Sequence, residues 1–131
     1  RTTLICFLIG LLSAYGKANS TSQFEIWEDA SQADTVRIMA LHQVIKRQYI
    51  FSDPDSAYYF AQLQFDFAKE RGLKKYMALA LNTQGVTFSI NGDYNNAFVH
   101  HTKSLAIRKE IRDKGGIASS LINIGNVFFE H

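Results

Sequence analysis

Cysteine is almost missing from this chain of 131 residues, and its single example, Cys6, lies in an N-terminal stretch that we expect to be removed. A body without a thiol has no disulfide, no thiolate zinc site and no cysteine nucleophile. Proline is equally scarce, with one residue, and the hydrophobic share of 47% is typical of a globular chain. We therefore expect an ordered body held together by burial alone.

An excess of charge is also missing. The formal charge of +2 comes from 14 basic and 12 acidic residues, and two of the basic ones, Arg1 and Lys17, lie in the N-terminal stretch. The rest of the chain is therefore balanced. Proteins that bind nucleic acid carry a basic surface, because phosphate contacts supply most of the affinity. Nucleic acid is not an expected partner.

Catalytic and nucleotide-binding motifs are absent from the sequence: it has no phosphate-binding loop, dinucleotide fingerprint, HExxH or GxSxG. Asp53 and Asp55 resemble part of a calcium loop. However, Tyr58 stands where that loop needs glycine, and Gln64 stands where it needs a closing glutamate. We interpret Asp53 as a helix cap instead and expect no catalytic residue.

Histidines offer no metal site in this pattern. His100 and His101 are neighbours on a predicted helix, so their side chains point about 100° apart and cannot both bind one ion from that helix. His42 and His131 belong to other units. We expect a partly buried His101, a solvated His100, and neither metal nor cofactor.

The first 20 residues have the three-part pattern of a secretory signal peptide. A basic residue, Arg1, precedes an apolar run from Leu4 to Leu12, and small residues follow. Cleavage after Gly16 or after Ala18 fits, and we assign 1–18 as the signal peptide. The alternatives are a membrane anchor or a buried helix, but the apolar run is short for a bilayer of about 30 Å. Export to the periplasm or another extracytoplasmic space is therefore expected.

Residues 19–33 are predicted to be a lead-in. The stretch is polar with three embedded large apolar residues, Phe24, Ile26 and Trp27. We expect it to be irregular and to cover the exposed end of the first helix pair with its aromatic side chains, because terminal units of repeat arrays need a cap.

From residue 34 onward the spacing of apolar residues predicts five helices. Asp34 is the expected cap of the first helix, and Ser52-Asp53-Pro54-Asp55 is a strong start for the second. The predicted helices run from Asp34 to about Phe51, 55–71, 73–91, from Asp93 or Tyr94 to about Arg112, and 117–131.

Each predicted helix has a stripe of residues expected to face inward. Mid-helix glycine costs about 1 kcal/mol against alanine, so Gly85 and Gly125 suggest close approach of a paired helix. The predicted stripes are Ile38, Leu41, Ile45 and Tyr49; Ala57, Ala61, Phe65 and Ala68; Met77, Ala78, Leu81, Gly85 and Phe88; Ala97, His101, Leu105 and the stem of Arg108; and Ala118, Leu121, Gly125 and Phe128.

The sequence repeats itself at a shift of 40 residues. Aligning 57–91 with 97–131 gives eight identities in 35 pairs without a gap, among them Leu81 with Leu121, Gly85 with Gly125 and Phe88 with Phe128. A fixed period of 20–50 residues is the signature of a stacked repeat array.

The repeated residues Leu81, Gly85, Phe88, Gly92, Tyr94 and Ala97 resemble the tetratricopeptide repeat in its forty-residue form. The resemblance implies an all-α fold, an α-solenoid of antiparallel helix pairs. It assigns repeats to 34–72, 73–115 and a partial 116–131, about two and a half in all. We expect a fragment truncated inside its third repeat. Ile45, Gln84 and His101 depart from the family pattern.

A leader followed by such repeats also resembles the exported sensor region of bacterial membrane receptors. In that group a transmembrane helix and an adenylate or guanylate cyclase or histidine kinase domain follow the repeats. The sequence thus leaves two functions open: a non-catalytic module for protein interaction, or the sensing region of a larger signalling enzyme.

The resemblance further implies that the first helix of each pair lines a concave groove. It would bind a protein or peptide, or mediate self-association, with membrane attachment only through a downstream segment. Only Lys46 offers the basic group needed for a carboxylate clamp. The candidate partner-binding residues are Lys46, Tyr49, Asn82, Val86, Ser89, Asn126 and Phe129, with His42 and Ile122 on the same lining.

Overall fold

The computed structural model describes residues 22–130, and 83% of them are helical with no strand, so the all-α prediction is confirmed. Six helices are packed each against the next along the chain. They are α1 (Gln23–Glu28), α2 (Asp34–Val44, continued by a π-helical turn Ile45–Tyr49), α3 (Pro54–Glu70), α4 (Lys74–Ile90), α5 (Tyr94–Glu110) and α6 (Lys114–Glu130). The predicted signal peptide, Cys6 and His131 lie outside the described residues.

The last four helices have one length and one kind of connection. Each has 17 residues, and three residues join it to the next. The middle residue of each connection has a positive φ: 66° at Gly72, 76° at Gly92 and 56° at Arg112. Glycine adopts this conformation without strain, whereas an arginine does so only when the surrounding structure requires it.

Aspartates cap two of these helices, as predicted for Asp53. Its carboxylate accepts a hydrogen bond from the Ser56 backbone N–H at 3.1 Å, and Asp93 accepts one from Asn96 in the same way, also at 3.1 Å. Hydrogen bonds from the Ser56 and Asn96 side chains, and then these backbone hydrogen bonds, lower the pKa of the Asp53 and Asp93 carboxyl groups. The caps leave no reason to assign Asp53 to a calcium site.

Helix α6 begins at Lys114, three residues earlier than the predicted start at Ile117. The predicted loop treated two consecutive glycines as helix breakers. Instead, Asp113 accepts a hydrogen bond from the backbone N–H of Gly116 at 3.0 Å, and a Cβ on Gly116 would collide with Asp113 and with Arg108. Glycine stands at that position because a neighbouring arginine crosses close to the helix.

The predicted irregular lead-in is partly wrong, because Gln23–Glu28 form a helical turn and a half. A capping box fixes its start: the Ser22 hydroxyl accepts from the Glu25 N–H at 3.1 Å, and the Glu25 carboxylate accepts from the Ser22 N–H at 2.8 Å. The aromatic part of the prediction is confirmed. The Trp27 ring packs 4.8 Å from the Phe67 ring on α3.

Helix α2 begins at Asp34, but its cap is Ala33, which has no capping side chain. The Asp34 carboxylate is instead 3.1 Å from the Arg71 Nε, and the Arg71 guanidinium lies 3.6 Å over the Phe67 ring. The predicted cap is therefore wrong because this carboxylate joins the start of α2 to the end of α3.

The π-helical turn Ile45–Tyr49 inserts one extra residue into the end of α2. By the shift of 40 residues, Phe88 corresponds to Gln48. However, Tyr49 packs 5.1 Å from Phe60, as Phe88 packs 4.9 Å from His100. The π turn thus rotates Tyr49 into the packing between helices, where the sequence period alone would put a glutamine.

Helix α4 has neighbours on two faces, whereas α6 has them on one. Leu81 is 8% exposed and its counterpart Leu121 is 52% exposed, and Gly85 is buried whereas Gly125 is exposed. Helix α6 instead buries Ser120 and Val127, on its face toward α5. The predicted inward stripe Ala118, Leu121, Gly125 and Phe128 is therefore exposed in the part of the chain that the structure describes.

Candidate functional site

A cavity with polar and apolar lining lies between the C-terminal parts of α4 and α6, and we call it the α4–α6 cavity. It has a volume of about 340 Å³. Its lining combines amides, a hydroxyl and a carboxylate with exposed apolar groups, a composition typical of ligand sites. It is lined by Phe51, Val86, Ser89, Ile90, His101, Asn123, Asn126, Val127 and Glu130.

Three of the predicted groove residues meet in this cavity: Val86 and Ser89 on α4, and Asn126 on α6. They come together because α4 and α6 are equivalent helices of the repeat, each separated from the other by α5. Asn126 is exposed, whereas Val86 and Ser89 are partly buried. Their side chains therefore face a space that a ligand can enter.

Three other predicted groove residues lie elsewhere. Lys46 is exposed on the π turn and lines none of the described cavities, and Tyr49 packs against Phe60. Phe129 is 93% exposed on α6, outside the cavity lining. Lys46, the basic residue that a carboxylate clamp would need, is thus not part of the cavity lining.

The seventh predicted residue, Asn82, faces a buried polar network beneath the cavity. Its Oδ1 accepts a hydrogen bond from the Asn123 amide at 2.9 Å and lies 3.1 Å from the His101 Nδ1. Three helices, α4, α5 and α6, contribute one side chain each. The network fixes the positions of the two asparagines. Asn82 therefore supports the lining residues His101 and Asn123 and does not line the cavity itself.

His101 is 1% exposed, and its imidazole fills the space left by Gly85. A Cβ at Gly85 would lie 2.6 Å from the His101 Cε1, so the glycine is needed for this packing. Burial, and then the nearby His100 and Arg108, lower the pKa of His101 to about 4. The imidazole is neutral at physiological pH, which leaves Glu130 as the only charged residue of the cavity lining.

A second buried network joins α5 to α6. Arg108 as a whole is 5% exposed, so more than its predicted stem is buried, and burial lowers its pKa. It donates hydrogen bonds to the Gly116 carbonyl oxygen and, at 3.2 Å, to the Ser120 hydroxyl. Ser104 on α5 donates to the Ala78 carbonyl oxygen of α4 at 2.7 Å. These bonds hold the two walls of the cavity at a fixed separation.

Of the two further residues on the predicted groove lining, Ile122 is 63% exposed on α6 outside the cavity lining, and His42 is partly buried beside Gln64. The His42 Nδ1 and both amide atoms of Gln64 are buried without a well-formed hydrogen bond. Burial lowers the pKa of His42, and the adjacent Gln64 amide opposes part of this effect. The pair belongs to the packing between α2 and α3 and not to the cavity.

Several cavity residues were not predicted. Phe51, Ile90 and Glu130 lie at or near helix ends, where the repeat spacing does not predict the direction of a side chain. Asn123 matches Thr83 in the 40-residue alignment, so the period assigned it no role. The sequence did contain one signal: His101 is a polar residue at an expected packing position.

Residues 22–130 contain no group of three or more histidine, aspartate or glutamate side chains that could hold a metal ion. No helix in this part of the chain is long and apolar enough to cross a bilayer.

Comparison with known proteins adds no relative: no family model, no curated protein and no solved structure matches the chain.

Proposed function

We propose that this chain is a non-catalytic interaction module, a helical array of tetratricopeptide type that binds an extended peptide or protein segment in the α4–α6 cavity. The observation that carries the proposal is the meeting of Val86, Ser89 and Asn126 around one open cavity. The 40-residue repeat and the equal helices support the array type.

The chemistry of the cavity suits a peptide backbone. The side chains of Asn126 and Ser89 offer both donors and acceptors to main-chain N–H and C=O groups. Val86, Ile90 and Val127 provide an apolar surface for one or two side chains of the segment. Glu130 adds a negative charge at one end, which favours a basic residue or an amine in the ligand.

Rigidity is a second support. The buried hydrogen bonds of Asn82, His101 and Asn123 place the cavity floor before any ligand arrives. A preformed site loses less side-chain entropy on binding than a mobile one. The proposed compartment is extracytoplasmic, on the basis of the leader pattern of residues 1–18, and fusion to a larger signalling enzyme is compatible with the same binding role.

Selection from a phage-displayed library of random peptides on the immobilised full chain tests the proposal. We expect peptides with an apolar residue, and the binding of a selected peptide is then titrated by calorimetry. Val86→Glu places an uncompensated charge in the cavity and should weaken binding at least about tenfold, or about 1.4 kcal/mol. Asn126→Ala should weaken it less, by about 1 kcal/mol.

Val99→Glu is the matched control, because Val99 is 41% exposed on α5 and lines none of the described cavities. It should leave peptide affinity unchanged. Failure to select any peptide, or equal loss of affinity in the Val86 and Val99 variants, would contradict the proposed site.

A further inference from the structure

A second cavity lies between α3 and α5, in the middle of the described chain. Both helices pack against α4, and the groove that they leave between them has a volume of about 440 Å³. Its most deeply buried residues, Leu81 and Gln84, belong to α4. We call it the α3–α5 groove, and it is lined by Gln62, Phe65, Leu81, Gln84, His100, Lys103, Ala106 and Ile107.

The α3–α5 groove is separate from the α4–α6 cavity. The two have no lining residue in common. At 100° per residue, Gln84 and Val86 point about 160° apart around the axis of α4, so the two cavities lie on different faces of this helix. A ligand of the groove therefore does not compete for the proposed peptide site.

Contacts along α4 give the order of residues in the groove. Phe88 contacts the rings of Tyr58 on α3 and His100 on α5. One helical turn away, Gln84 bonds to Gln62 of α3. At the other end of α4, Lys74 pairs with Glu110 at the end of α5. Helices α3 and α5 are therefore parallel to each other and antiparallel to α4.

This order separates polar from apolar lining residues. The amides of Gln62 and Gln84 lie at the same end as His100, and Lys103 follows one turn further along α5. The other end is apolar, with Phe65, Leu81, Ala106 and Ile107. The groove thus has one end suited to a polar group and one end suited to an apolar chain.

Gln84 is the residue that repeat packing does not explain. Its equivalents at a shift of 40 residues are Val44 and Ile124, whereas Gln84 is an amide that is 2% exposed. Burial of an amide costs free energy unless the amide is hydrogen-bonded. Its Nε2 donates to the Gln62 Oε1 at 2.8 Å, and the Gln62 Nε2 donates to Asp66 at 3.0 Å. The Gln84 amide is thus held at the bottom of the polar end.

The charge of the lining is basic. Lys103 is exposed and makes no ion pair with the residues that the structure describes, and no acidic residue lines the groove. His100 is held in place, because its Nδ1 donates to the Asn96 carbonyl oxygen at 2.8 Å and its ring lies 4.9 Å from the Phe88 ring. The polar end therefore favours a negatively charged group.

We propose that the α3–α5 groove binds a small carboxylate with an apolar chain, of the size of a medium-chain fatty acid. The carboxylate lies near the Lys103 ammonium and the Gln84 amide, and the chain lies along Phe65, Leu81 and Ile107. A volume of about 440 Å³ is within the range of small-molecule sites.

NMR titration of the isotope-labelled full chain with octanoate tests this inference. Octanoate should shift the amide signals of α3, α4 and α5 around the groove, with a dissociation constant in about the millimolar range. Affinity should rise up to about fourfold for each CH₂ in the series from hexanoate to decanoate. Octylamine has the same chain and the opposite charge, so it should bind at least about tenfold more weakly.

Two lysines of α5 provide a matched pair of variants. Lys103→Glu places a negative charge beside the carboxylate and should weaken octanoate binding at least about tenfold. Lys109→Glu changes an exposed lysine that lines none of the described cavities, and it should bind octanoate like the parent.

Gln84→Leu tests the buried amide. Leucine resembles the apolar residues at the equivalent positions, so this variant should fold, which circular dichroism checks. The parent should prefer octanoate to octanol, and the variant should lose most of that preference, because the amide donor to the carboxylate is gone.

Four outcomes would overturn the proposal. Equal binding of octanoate and octylamine, or equal loss in the two lysine variants, would indicate non-specific association. Octanoate binding that is lost in Val86→Glu would place the ligand in the α4–α6 cavity instead. No shift of any signal up to about 20 mM octanoate, well above the expected dissociation constant, would mean that the groove is only a gap between helices.

Discussion

Gly85 on α4 lies against the buried His101 ring of α5, which fills the space that a side chain at position 85 would occupy. The sequence predicted that a paired helix approaches Gly85 closely, and the structure confirms a buried Gly85. What approaches is the imidazole of His101 rather than the backbone. The repeat period predicts that position 85 holds a small residue. It cannot predict which side chain of the neighbouring helix fills the space beside that residue.

The first prediction concerns this pair. Gly85→Ala should destabilise the chain by about 2 kcal/mol, because the added Cβ forces the His101 ring from its place and breaks its hydrogen bond to Asn82. Chemical denaturation measures the free energy of unfolding. In a His101→Ala background, Gly85→Ala should lower the free energy of unfolding much less than it does in the parent chain. The effects of the two substitutions are then not additive.

Gly125→Ala is the matched control for this substitution. Nothing lies within 4 Å of the added Cβ there. Because alanine is the better helix former, this variant should gain up to about 1 kcal/mol. Equal losses at 85 and 125 would show that both glycines serve the same purpose and would contradict the packing described above.

At the scale of elements, the helices from α3 onward could be predicted within three residues, since proline, aspartate and glycine mark their ends. The bounds of α2 also agree within two residues, but the interactions that form its ends could not be predicted. Its start relies on an ion pair between Asp34 and Arg71, and its end contains a π turn, and neither follows from local propensity. The short α1 escaped prediction because six residues give no helical period to detect.

Helix α1 is attached to the rest of the molecule mainly through Trp27. Its ring packs against Phe67, and its carbonyl oxygen accepts a hydrogen bond from the Arg37 Nε at 3.0 Å. Trp27→Ala should cost about 2 kcal/mol, less than a fully buried tryptophan, because Trp27 is partly exposed.

Hydrogen exchange at single amides should show faster exchange in α1 and unchanged protection in α5 of the Trp27→Ala chain. Trp27→Phe keeps an aromatic ring and should restore most of the protection. Unchanged exchange in α1 would mean that other contacts hold it in place.

At the scale of the whole molecule, the buried His101 and the partly buried His42 link stability to pH. The pKa of His101 is about 4 in the folded chain, against about 6.5 for an unfolded histidine. The unfolded chain therefore binds the extra proton between these values, so stability is full above pH 6.5 and falls as the pH drops toward 4. His42, whose pKa burial also lowers, acts in the same direction.

Urea denaturation at pH 7 and at pH 4.5 should show this loss, about 3 kcal/mol at most from His101. His101→Gln keeps a donor for Asn82 but does not titrate, and its stability should vary less with pH. The same pH dependence in the parent and in the variant would contradict the assignment to His101.

The candidate site was predictable only in part. Val86, Ser89 and Asn126 followed from their positions on equivalent helices, because a repeat carries the direction of each side chain from one unit to the next. Lys46 and Tyr49 did not follow, because the π turn changes that direction within α2. Phe129 shares its helix face with Asn126 but lies outside the cavity.

The middle residues of the three connections, Gly72, Gly92 and Arg112, stand 20 positions apart. From α3 onward, each half-repeat therefore consists of a 17-residue helix, and a connection of three residues leads to the next helix. Helix α2 keeps the same spacing, since residues 34–53 are again 20, although its π turn contains an additional residue and four residues, 50–53, connect it to α3. The additional residue is therefore accommodated within one half-repeat, and α3 begins where the 20-residue spacing places it.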